Sequence, residues 1–233
     1  MSRITRKELK SDKFAAEVEH TVEYVAEHRR QIIRYATVAG AVLLIAAGIY
    51  WFLSHRTAER QGVLAKALKT QEAPIGDAAP GVLSFRSEID RRVASRKEFN
   101  EIVKKYPGST EWIIAHYFLG AIAADEGNLQ EAEKGFKVAA DSGDKKYSAL
   151  AKVSLAQIYF ASGRVAEGEK LLRWLIDNPT VFISKEQATV ALAEGLAKTK
   201  PDEARKLLEP LRGSKRNAVS QAAISAMGEL GSR

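Results

Sequence analysis

Between Arg34 and His55 the chain runs YATVAGAVLLIAAGIYWFLS, with no Asp, Glu, Lys, Arg or His. As a helix rising 1.5 Å per residue, about 20 residues reach roughly 30 Å, the thickness of a bilayer's hydrocarbon core. Val38, Val42, Leu43, Leu44, Ile45, Ile49, Phe52 and Leu53 are strong insertion residues. At about 0.3 to 0.6 kcal/mol each they favour the membrane by roughly 2 to 5 kcal/mol, with no charge to offset it. Tyr35 marks one end and Tyr50 with Trp51 the other, where amphipathic rings settle at the membrane–water interface. A cleaved leader is shorter, lies nearer the terminus and ends at small residues rather than at Tyr-Trp-Phe-Leu. Residues 35–54 therefore predict an uncleaved single-span anchor in contact with lipid.

Residues 1–34 are read as a cytoplasmic amphipathic segment. Thr5 and Glu8 have the spacing of a capping box. Phe14, Val18, Val22 and Val25 then recur on one helical face, apart from Glu17, Glu19, Glu23 and Glu27. Arg29, Arg30 and Arg34 precede the span and Arg56, Arg60 and Lys66 follow it, so the local charge bias is nearly a tie. The N-terminal segment is the richer in Lys and Arg, which tips the orientation towards a cytoplasmic N-terminus. The formal net charge of +7 is spread along the chain. A nucleic-acid binder would show a dense basic stripe or a recognition fold, and neither is present.

Beyond the span, residues 55–81 are read as a helical stalk ending in the break APIGDAAPG at 73–81, taken as a flexible joint. Residues 82–233 then repeat. Leu119, Gly120, Gly127, Ala132 and Phe136 return 36 positions later as Leu155, Ala156, Gly163, Gly168 and Leu172. Gly168 and Leu172 return after another 36 as Ala204 and Leu208. A helix, a tight Gly turn and a second helix at such a period mark an all-α solenoid. Small residues let the paired helices approach, large ones fill the space between pairs, and Gly127 and Gly163 suit a left-handed helix end. The expected units are 82–107, 113–144, 149–179 and 186–212, with a capping helix at 216–230.

This pattern resembles the tetratricopeptide repeat, W-x2-L-G-x2-Y, then A-x3-F, then P. Leu119, Gly120, Ala132 and Phe136 match it in one unit, and Leu155, Tyr159 and, one place early, Pro179 in the next. Lys152 stands where the Trp belongs and Gly168 where the Ala belongs. The layout of charged segment, span, stalk and repeats is similar to the ancillary subunit of the bacterial SecYEG translocon, the YfgM-like family. That resemblance implies an inner-membrane protein with periplasmic repeats. Its implied partners are translocon subunits and exported or unfolded chains.

No constellation points to catalysis, and no cofactor or small-molecule substrate is expected. His20, His28, His55 and His116 are scattered, and with no Cys a zinc site has no donors at ligand spacing. His116 falls at the repeat's Trp position, which suits packing. A solenoid offers instead a surface lined by the first helix of each pair. Counting from the Leu-Gly and Leu-Ala pairs, its predicted lining is Tyr117, Phe118, Ala121, Asp125, Val153, Ser154, Gln157 and Phe160. The aromatic and mixed-polar character suits apolar or extended protein segments. Each aromatic is equally readable as core, and a large fall in Tm on Tyr117→Ala or Phe160→Ala marks that role. Two further readings stay open: a scaffold for another envelope assembly complex, and a self-associating structural membrane protein.

Overall fold

The computed structural model describes residues 28–231. The Thr5–Glu8 capping box and the Phe14, Val18, Val22, Val25 face lie outside the described residues. Among the described residues the chain forms nine helices and no strand, with a single isolated bridge between Ile75 and Phe85. We number them α1 (Arg29–Gln71), α2 (Glu88–Lys105), α3 (Thr110–Asp125), α4 (Leu129–Ala140), α5 (Lys145–Ala161), α6 (Val165–Asp177), α7 (Lys185–Leu196), α8 (Pro201–Arg212) and α9 (Asn217–Gly231).

The chain divides into two compact units, up to Ala58 and from Glu59 onwards. In the first, α1 is long and apolar enough to cross a membrane, its best window having a mean hydropathy of 2.0. Its Val38, Leu43, Leu44, Ile45 and Trp51 side chains are all exposed.

The second unit starts earlier than the sequence suggests. The sequence presents residues 55–81 as a helical stalk and joint, with the repeats starting at 82. Instead Ala67 and Thr70 are buried, and Ala67 joins Phe99, Ile102, Tyr106, Ala115 and Ile122 in one apolar cluster. Glu59 accepts from Lys105 at 2.7 Å and from the Tyr106 hydroxyl at 3.0 Å. The end of α1 thus serves as the first helix of the first pair, with α2 as the second. The break at 73–81, which the sequence presents as a joint, is tied within this unit. Gly76 N donates to Phe85 O at 2.8 Å, Phe85 N to Pro74 O at 3.1 Å, and Arg91 to Ala73 O at 3.2 Å.

The remaining pairs are α3–α4, α5–α6 and α7–α8, closed by α9. Most helix starts are set locally by side-chain caps. Ser109, Asn128 and Asp144 accept from backbone N–H groups of the first turns, Ser184 and Gln187 form a full capping box, and Pro201 opens α8. Gly127 and Gly163 end the first helices of two pairs at φ 76° and 75°, a conformation that a Cβ would strain.

The pairs form two layers with different glue. The first helices touch one another directly, α3 with α5, α5 with α7 and α7 with α9. Among the described residues the second helices make no such mutual backbone approach. They are joined by ion pairs about one repeat apart in sequence. Arg96 of α2 meets Glu126, and Glu131 of α4 at 2.8 Å. Arg164, at the start of α6, forks onto Glu133 of α4. Glu169 of α6 accepts from Lys200 at 2.8 Å and from Arg173, which also reaches Glu203 of α8. The apolar core follows the same modular plan, in three clusters that each bridge neighbouring pairs. Stability in such a stack comes from each pair and its next neighbour.

Candidate binding groove

The first-helix layer is where the repeat period places a binding surface, and an aromatic row crosses it. Tyr117 of α3 lies 5.9 Å from Tyr147 of α5, ring centre to ring centre, and Tyr147 lies 6.2 Å from Phe182, in the loop before α7. Edge-on contacts at these distances are favourable arrangements of the ring quadrupoles. Phe182 is exposed, with the Lys146 ammonium 5.9 Å from its ring centre. Its neighbour Val181 is 92% exposed, so the two together carry apolar surface onwards from the row.

That surface leads to a trough of about 490 Å³ between α7 and α9. Its walls come from Val190, Ala191 and Glu194 on one side and Val219 and Ala222 on the other, with Val181 at the mouth. Glu186 is held by Arg216 at 3.1 Å, so that pair is balanced within the protein. Glu194 is exposed on the wall, and its carboxyl is pushed up from its ordinary range, first by the part of its surroundings that excludes water and then by the charge of Glu229 on α9. Lys146 and Lys185 flank an adjoining part of the mouth beside Val181.

The eight residues predicted from the sequence distribute differently. Tyr117 and Ala121 pack on the cluster of Phe136, Leu155 and Tyr159. Phe118 stacks on Phe99, 5.0 Å between ring centres, and packs on the neighbouring cluster. Val153 and Phe160 pack on the cluster that contains Leu172 and Leu196. The Phe160 ring covers two glycines: a Cβ added at Gly168 would lie 3.0 Å from it, and one added at Gly195 closer still. Asp125 and Gln157 are exposed and Ser154 is half-buried. None of the eight lines the trough.

Sequence reasoning misses the trough residues because the third unit is too degenerate for its groove positions to stand out. The signal is nevertheless present. Val190, Ala191 and Glu194 stand at the same offsets from Leu192-Ala193 as Tyr117, Phe118 and Ala121 do from Leu119-Gly120. Counting the third unit in the way the first two are counted selects three of the trough's walls.

His116 packs as the sequence suggests for the repeat's Trp position. Its ring meets Trp112 edge-on at 4.3 Å, and burial holds its pKa below the ordinary imidazole value. Lys152, at the same position in the next unit, donates to Ala140 O at 2.6 Å and lies 4.9 Å from the Trp174 ring centre. Burial lowers its pKa. Among the described residues no group of His, Asp or Glu is arranged to hold a metal ion.

A family model described as a tetratricopeptide repeat-like domain matches residues 27–205, more than half of the chain. The chain belongs to that family. The match takes in the apolar helix as well as the repeats and ends within α8, so α9 and its wall of the trough lie beyond it. No curated protein and no solved structure matches the chain. Tetratricopeptide repeat-like domains are typically non-catalytic protein-interaction modules, and the two-layer geometry here is of that kind.

Proposed function

We propose that the chain is a membrane-tethered interaction module of the bacterial inner membrane, with a cytoplasmic N-terminus and periplasmic repeats. Its partners on this reading are SecYEG translocon subunits and the chains they export, which it meets as a chaperone or adaptor without making or breaking bonds. The observation that carries the reading is the pairing, in one chain, of an exposed apolar helix with a repeat unit whose first-helix layer opens into an apolar trough. Residues 35–54 hold the repeats at the membrane, and tethering raises the effective concentration of contacts too weak to persist in free solution. Asp125, Ser154 and Gln157 extend the proposed contact surface beyond the trough.

Two measurements test this. A periplasm-active reporter after Arg233 is expected to be active, and the same reporter before Met1 inactive. The reverse pattern rejects the periplasmic reading. Crosslinking in intact membranes is then expected to capture translocon subunits. Capture of a different envelope assembly complex would move the protein to that complex.

A further inference from the structure

Resting on the reading of the first-helix layer as the binding surface, we infer that the α7–α9 trough takes an extended protein segment bearing a lysine or arginine among apolar side chains, with the cation set against Glu194.

The walls supply the apolar part. Val190, Ala191, Val219 and Ala222 offer no polar side chain to a ligand, so a segment gains there by removing apolar surface from water. Charge supplies the selectivity. Glu186 is already matched by Arg216. Glu194 has no cation partner among the described residues, and the charge that bears on it is the like charge of Glu229. Glu194 is exposed on the trough wall and close enough to Glu229 for the two carboxylates to repel, an arrangement that a cation reaching in from the trough relieves. Lys146 and Lys185 beside Val181 give the adjoining mouth the opposite sign. The trough is thus electrically polar, and a basic residue is favoured at its Glu194 end and disfavoured at its mouth. Complementarity of this kind selects partners and fixes their direction more than it adds raw affinity.

The test uses the full chain in lipid nanodiscs, with empty nanodiscs as the reference. The probe is a short fluorescein-labelled peptide of alternating leucine and serine, blocked at both ends, with one central lysine. Matched probes carry glutamine or glutamate at that place. The lysine probe is expected to bind about fivefold more tightly than the glutamine probe, the upper end of the scale of an exposed ion pair, and the glutamate probe more weakly than either. Glu194→Gln should erase this order, and Ala222→Trp, which fills the trough from an exposed position, should weaken all three. Binding that Ala222→Trp weakens but that ignores charge overturns the inference and leaves the trough as a binding site. Probes that fail to bind, or that ignore Ala222→Trp, overturn the trough as well. A mass that rises with concentration in wild type and not in Ala222→Trp would assign the trough to a second copy of the chain and equally overturn the inference.

Discussion

Gly135 of α4 faces Gly120 of α3 so closely that a Cβ added to Gly135 would lie 2.8 Å from the Gly120 Cα and 2.7 Å from the His116 carbonyl oxygen. Both obstacles are backbone, so no side chain can swing aside to make room.

Gly135→Ala is accordingly expected to destabilise the repeat unit by about 2 kcal/mol or more, as overpacking does in a close-packed interior. For a unit of this size that corresponds to a Tm lowered by roughly 4 to 8 °C. Gly62→Ala is the control. Gly62 sits in α1 with nothing within 4 Å of an added Cβ, so the change should stabilise by about 0.5 to 1 kcal/mol through helix propensity alone. Thermal unfolding followed by circular dichroism separates the two. Equal effects would contradict the close helix approach.

The repeat is legible in the sequence because its defining contacts are local. Leu119-Gly120 and Leu155-Ala156 sit at one period, and each Gly turn is short enough to hold the next helix in phase. The first pair lacks both signals. Its first helix ends the long α1 and contributes Val63, Ala67 and Thr70 rather than a Leu-Gly pair, and the connection to α2 runs from 72 to 87 instead of through a tight turn. The burial of Ala67 and Thr70 and the bonds from Lys105 and Tyr106 to Glu59 reveal the pairing. The trough is hidden for a related reason. Its walls, α7 and α9, are separated in sequence by the whole of α8, and its apolar residues are alanines and valines that any helix carries. An offset from the Leu-Gly pair places an aromatic on a helix face but does not say whether the next helix covers that face.

Phe160 shows the consequence. The sequence reads it as groove lining, yet its ring packs over Gly168 and Gly195, whose missing side chains make the space it fills. Phe160→Ala should leave a cavity between α5, α6 and α7 and cost about 3 kcal/mol. A fall in Tm of roughly 6 °C or more assigns Phe160 to packing. An unchanged Tm together with weakened capture of partners would return it to the groove.

Acid should loosen the second-helix layer first. Hydrogen bonds from Arg164 hold the Glu133 carboxyl below its ordinary range, and those from Lys200 and Arg173 do the same for Glu169. A carboxyl whose pKa is lowered by folding binds fewer protons folded than unfolded, so its contribution is complete above the ordinary carboxylate range and drains away as pH falls through the folded value. The denaturant midpoint is expected to be lower at about pH 3 than at about pH 7, with a smaller drop in Glu169→Gln. Glu194 runs the other way, because its pKa is raised. Protonation relieves it as pH falls, so Glu194→Gln should raise the midpoint at neutral pH. A lowered midpoint in that variant would mean that the charge of Glu194 is satisfied within the fold.

Leu44 stands near the middle of the apolar stretch and is 76% exposed in its unit, a cost in water that only a bilayer or another protein removes. Leu44→Arg adds about 2.5 to 3.5 kcal/mol to insertion near mid-span, comparable with the roughly 2 to 5 kcal/mol that the strong insertion residues supply. The variant should therefore move a large part of the protein from the membrane fraction to the soluble fraction after carbonate washing. Leu44→Ile, which keeps the apolar surface, should remain in the membrane. Because the repeat unit from Glu59 onwards has its own core clusters, its helicity and Tm should be the same in both variants. Full retention of Leu44→Arg in washed membranes would show that something other than the 35–54 helix holds the protein there.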